Sequence, residues 1–115
     1  MTSPNSDINR QADILDRLFA TIKSRIGSDP DESYTASLLA QAPEKPLRKL
    51  SEETTELLIE VMRSDNQAIV QESADLLYHL LVVWAAADVD PADIWAVLEA
   101  RQSQSGHEEK ASRTL

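Results

Sequence analysis

Cysteine is absent from the 115 residues, which excludes disulfides, thiolate-ligated zinc and a thiol nucleophile. Glycine is nearly absent too. Gly27 and Gly106 are the only two, so no glycine-rich loop can cradle a phosphate. Aromatic residues make up 4% of the chain, whereas Ala, Leu, Glu and Gln are frequent, and this balance favours an all-helical fold. Positive charge is scarce: 11 Lys and Arg face 20 Asp and Glu, a formal net charge of −9. Such a chain is not expected to bind nucleic-acid backbones. Long apolar runs are also missing. The longest, Leu80 to Ala87, is far too short to span a bilayer. Met1 to Asn9 is polar and has no signal-type hydrophobic stretch. A cytoplasmic protein with no membrane contact is the expectation.

What remains is 42% hydrophobic and 27% charged, the balance of a soluble globular domain. The length suits a single domain with a small core, for which burial between subunits would be a gain. The expected organisation is one all-α domain over 1–102, four to five helices in a bundle, and a polar tail over 103–115. No internal repeat is present.

Met1 to Ser6 reads as a loose tail. Helical character is expected from Asp7, with Ile8 and then Ile14, Leu15, Leu18, Phe19, Ile22 and Ile26. Gly27 is expected as the stop at position C′. Ser33 is expected to cap a helix of two turns reaching Gln41. Pro43 and Pro46 mark the start of a helix over about Glu44 to Arg63. Its apolar side carries Leu47, Leu50, Leu57, Leu58 and Val61. Asp65 is the expected cap of the next helix, about Asn66 to Ala87. The second half of that helix, Leu76 to Ala87, is apolar nearly all round and implies a subunit interface. Asp90 is expected as a further cap, with Pro91 at the first helical position and Asp93 in a capping-box-like role. Ile94, Trp95, Val97 and Leu98 form the last apolar face.

The chemistry concentrates in two acidic clusters. Glu53, Glu56 and Glu60 fall at i, i+3 and i+7 and share a helix face with Lys49, bordering the apolar stripe. Glu72, Asp75 and His79 repeat that spacing on the following helix. With residue 65 as the centre of a hairpin, Glu56 and Glu72 lie at similar heights, and so do Glu53 and Asp75. At about 1.5 Å per residue each pair matches to about 3 Å. Glu60 falls about 6 Å nearer the turn than Glu56 at the same rise and is set aside. Carboxylates brought together repel unless a cation neutralises them, and oxygen ligands of this kind suit Mg²⁺ or Mn²⁺. A solvated acidic surface is the competing reading. Lys45, Arg48 and Lys49 form a basic patch one or two turns earlier, read either as charge balance or as phosphate recognition. His79 is expected to be a hydrogen-bonded core residue, and His107 to be solvated. No Ser-His-Asp set can be assembled.

Glu53-x-x-Glu56 followed by Glu72-x-x-Asp75 resembles the ExxE…ExxD signature of the all-α nucleoside triphosphate pyrophosphohydrolases, the MazG-like superfamily. Three flanking stretches narrow the resemblance: Ser33-Tyr34-Thr35-Ala36-Ser37-Leu38-Leu39, then Lys45 and Lys49, then Ala74-Asp75-Leu76-Leu77-Tyr78-His79-Leu80-Leu81. Together they look like the phosphoribosyl-ATP pyrophosphohydrolases of histidine biosynthesis. The tail from Ser105 to Arg113 is similar as well. The resemblance implies hydrolysis of 1-(5-phospho-β-D-ribosyl)-ATP to the AMP derivative and pyrophosphate, Mg²⁺ dependence and a homodimer. It implies Glu53, Glu56, Glu72 and Asp75 as metal ligands and Glu52 or Glu56 as the group that activates water. It implies Lys45, Arg48 and Lys49 as phosphate contacts, joined by Lys110 and Arg113 if the tail closes over the site. Two departures stand out. Ser51 occupies a position commonly glycine, and Ser37 one commonly lysine, so no phosphate contact is assigned to Ser37. A pyrophosphohydrolase of ordinary nucleotides such as dCTP or dUTP, and a non-catalytic helical dimerisation module, are the alternatives.

Overall fold

Short polar side chains start three of the described helices. In the computed structural model, which describes Gln11 and residues 13–104, five helices are present: α1 (Ile14–Ser24), α2 (Tyr34–Ala40), α3 (Glu44–Met62), α4 (Asn66–Ala86) and α5 (Pro91–Gln102). No strand occurs among the described residues. Ser33 caps α2 by accepting the Ala36 N–H at 3.1 Å. Asp65 caps α4 by accepting the Ala68 N–H at 3.1 Å. Asp90 caps α5 with Pro91 at its first position, as expected, but its carboxylate takes the Ala92 N–H at 2.9 Å. Asp93 donates its own N–H to the Asp90 carbonyl at 3.0 Å and brings negative charge to the first turn.

The expected start at Asp7, and Ile8 with it, lies outside the described residues. At the other end of α1, Gly27 is not at C′. Arg25 caps the helix, and the N–H groups of Arg25 and Ile26 bond three residues back, to Ile22 and Lys23. This tightened last turn ends the helix at Ser24, and Gly27 follows two residues after the cap with φ +82°.

The core consists of Phe19 and Ile22 from α1, Leu38 from α2, and Leu81, Val82 and Ala85 from α4. Leu15, Leu18, Leu39, Tyr78 and Trp84 pack against it. The apolar second half of α4 is covered on one side within the chain, where Leu81, Val82 and Ala85 are buried against α1 and α2, while Leu77 stays 43% exposed. α5 is fastened by its indole: Trp95 Nε1–H donates to Asp16 Oδ1 at 2.8 Å, and its ring meets Trp84 edge to face. α3 and α4 form a hairpin packed along its length. Near its turn the surface is apolar and bare: Leu58 is 60% exposed, Met62 87% and Val70 67%. No described helix is long and apolar enough to cross a membrane.

Candidate metal and phosphate site

The hairpin turn over Arg63 to Asp65 sets the register of the two acidic faces. Ser64 adopts φ +58°, and the Asp65 N–H bonds the Glu60 carbonyl at 3.3 Å, so α3 closes before Asp65 opens α4. The consequence is that Glu53 and Glu56 of α3 meet Glu72 of α4. One carboxylate oxygen from each lies within 4.8 Å of the others. Glu53 and Glu72 are half-buried and Glu56 is exposed, so the cluster lies at the rim of the helix packing.

The electrostatics are unfavourable without a counter-charge. Glu53 Oε2 and Glu72 Oε2 are buried, and no donor among the described residues reaches them. Partial burial, then the neighbouring Glu56 and Glu53 carboxyls, push Glu72 up to about 7. Burial and Glu56 also raise Glu53, and the charge of Asp75 adds to the effect. Carboxyl oxygens this close need a shared proton or a cation between them. The donor set is all oxygen, which fits a hard divalent ion. The cluster can hold a metal ion.

The remaining residues take different places. Asp75 is exposed and not one of the three gathered carboxyls. Matching heights along two helices does not fix the direction in which a side chain leaves the axis. Glu52 is exposed and pairs with Lys49 Nζ at 3.4 Å, outside the cluster. Glu60 pairs with Arg63 at 3.7 Å beside the turn, in keeping with its exclusion. Lys45 is half-buried and Arg48 exposed on the preceding turns of α3. Lys110, Arg113 and His107 lie outside the described residues.

His79 is buried, as expected of a core histidine, and its Nδ1–H donates to the Asp75 carbonyl at 2.8 Å. Spacing did not reveal the polar contacts around it. Thr35 Oγ1 and Tyr78 OH share a short hydrogen bond, and the Tyr34 and Tyr78 rings both stand edge to face with His79. The available signal was the pair of flanking stretches that narrowed the resemblance, since these contacts join one to the other.

Known proteins place the chain. The family model described as phosphoribosyl-ATP pyrophosphohydrolase matches residues 15–102. A phosphoribosyl-ATP pyrophosphatase of Cereibacter sphaeroides is 53% identical over 100 residues, covering 87% of this chain and 97% of that protein. The Azospirillum brasilense protein of the same name is 48% identical over 102 residues, covering 89% and 92%. That of Ruegeria pomeroyi is 52% identical over 100 residues, covering 87% and 95%. With the match running from α1 through α5 and across the whole acidic hairpin, this chain belongs to the phosphoribosyl-ATP pyrophosphohydrolase family.

Proposed function

We propose that the protein hydrolyses 1-(5-phospho-β-D-ribosyl)-ATP to 1-(5-phospho-β-D-ribosyl)-AMP and pyrophosphate, the second step of histidine biosynthesis, and that it does so with Mg²⁺. The observation that carries the reading is the meeting of Glu53, Glu56 and Glu72, with two buried oxygens lacking donors, in a chain of this family. These three would hold the ion, with Asp75 one turn along as a fourth ligand. When bound, Mg²⁺ supplies positive charge that offsets the triphosphate and polarises a P–O bond.

The chain's own residues do the rest. Lys45, Arg48 and Lys49 bind phosphate oxygens as point charges and forks on the turns before the carboxylates. Glu56, or Glu52 beside it, orients the attacking water and accepts its proton. Lys110 and Arg113 add phosphate contacts from the tail. The enzyme works in the cytoplasm as a homodimer.

Purified protein with Mg²⁺ is expected to release pyrophosphate from phosphoribosyl-ATP. Glu56→Gln and Asp75→Asn are expected to lose about 100-fold or more, because even groups that only orient metal ligands are worth 10–100-fold. Circular dichroism checks that both variants stay folded. Full activity in both would sink the site assignment. Turnover of dCTP or dUTP without turnover of phosphoribosyl-ATP would replace the substrate.

A further inference from the structure

Two segments are not used by the reaction above: Tyr34 and Thr35 at the start of α2, and Tyr78 and His79 on α4. They meet in the fold. Thr35 is hydrogen-bonded to Tyr78, and the Tyr34 ring stands 81° to the His79 ring with centroids 6.4 Å apart. His79 is 6% exposed. Its proton is fixed on Nδ1 by the Asp75 carbonyl, so Nε2 is left as an acceptor, buried and without a partner among the described residues. An unpaired buried acceptor is destabilising, so apolar packing alone is a poor account of this ring.

Position adds to the case. His79 follows Glu72 and Asp75 on one face of α4, about 6 Å along the axis beyond Asp75. Tyr34 stands next to it and is 52% exposed. The polar carboxylates and the lysines suit a phosphate chain. An exposed ring held by a buried one suits the flat, apolar part of the same ligand.

We propose that Tyr34, positioned by His79, stacks on the purine of a nucleotide whose phosphate chain lies at Glu53, Glu56 and Glu72. This rests on the metal-and-phosphate reading above and extends it to the nucleoside end. A tyrosine ring offers much contact area with little side-chain freedom to lose. Stacking reads the ring face and not its edge atoms, so guanine nucleotides are held about as well as adenine nucleotides.

The test compares MgATP with magnesium tripolyphosphate, which has the phosphate chain but no nucleoside, by titration calorimetry. The wild-type protein is expected to bind MgATP about tenfold more tightly. Tyr34→Ala should abolish that preference and leave tripolyphosphate affinity unchanged, while Tyr34→Phe keeps it. In turnover, Tyr34→Ala should raise KM for phosphoribosyl-ATP about tenfold with kcat little altered. His79→Asn, which retains a side-chain N–H for the Asp75 carbonyl, should reduce the preference in part. Equal wild-type affinity for the two ligands overturns the proposal, as does an undiminished preference in Tyr34→Ala. Loss of both ligands together, or an altered subunit number in Tyr34→Ala, assigns the ring to folding or assembly and overturns it too. If the wild-type protein binds neither ligand with Mg²⁺, the metal-and-phosphate reading fails, and stacking fails with it.

Discussion

Glu72 combines, in one side chain, the cost and the use of the acidic cluster. Its folded-state value of about 7 lies above the ordinary 4.5. Between those values the folded protein keeps a proton that the unfolded chain has released. Metal-free stability should therefore fall as pH rises from about 4.5 to 7, with Glu53 acting in the same direction. A divalent ion displaces that proton, so metal affinity should rise with pH through the same window. Thermal denaturation across pH, in chelator and in Mg²⁺, measures both trends. Glu72→Gln removes the charge and should raise the metal-free melting temperature near pH 7, flatten its pH dependence and abolish the gain from Mg²⁺. A melting temperature that rises with pH in chelator would contradict the repulsion. At this scale the sequence supplied the residue types and their spacing along each helix. It did not supply burial, and burial is the largest cause of the shift. Nor did it separate Glu72, which joins the cluster, from Asp75, which acts on Glu53 through its charge.

The element that matters most is the α3–α4 hairpin, because its turn sets which carboxylates face each other. Asp65 closes that turn by capping α4. Asp65→Ala should cost about 1 kcal/mol, the usual worth of such a cap. Equilibrium urea denaturation reads this as a lower midpoint with an unchanged slope. Activity well below the transition should persist, since Asp65 itself touches neither the carboxylates nor the lysines. The caps at Ser33, Asp65 and Asp90 were legible because each depends on one short polar side chain next to a periodic run. The end of α1 was misplaced for a physical reason. Its last turn tightens through bonds three residues back, a choice set by backbone geometry that leaves no mark beyond the nearby glycine. The hairpin register was readable because helical rise is constant, so counting from the turn gives height.

At the scale of the molecule, the question is which apolar surface still lacks a cover. Counting apolar residues pointed to Leu76 to Ala87, where α1 and α2 enclose Leu81 and Val82 almost fully but leave Leu77 43% exposed. Composition cannot tell which helix of a chain lies over which. The barest apolar side chains lie at the turn end of the hairpin. Leu58, Val61 and Met62 share one stretch of α3, and Val70 lies at a similar height on α4. A patch of large apolar side chains on so small a domain is what a subunit interface leaves when one copy is taken alone. A second copy is the occupant consistent with the proposed homodimer. Met62→Glu combined with Val70→Glu places charge in that patch while sparing the core, since Met62 is 87% exposed and Val70 67%. Each change alone should alter the stability of one protomer by no more than about 0.5 kcal/mol, as is usual for exposed positions. Two buried, unpaired carboxylates per copy should weaken association by at least about 100-fold. Sedimentation velocity at micromolar protein should then show a dimer for the wild type and a monomer for the double variant. If the double variant and the wild type both sediment as dimers, this patch is not the interface, and the contact must lie on another face.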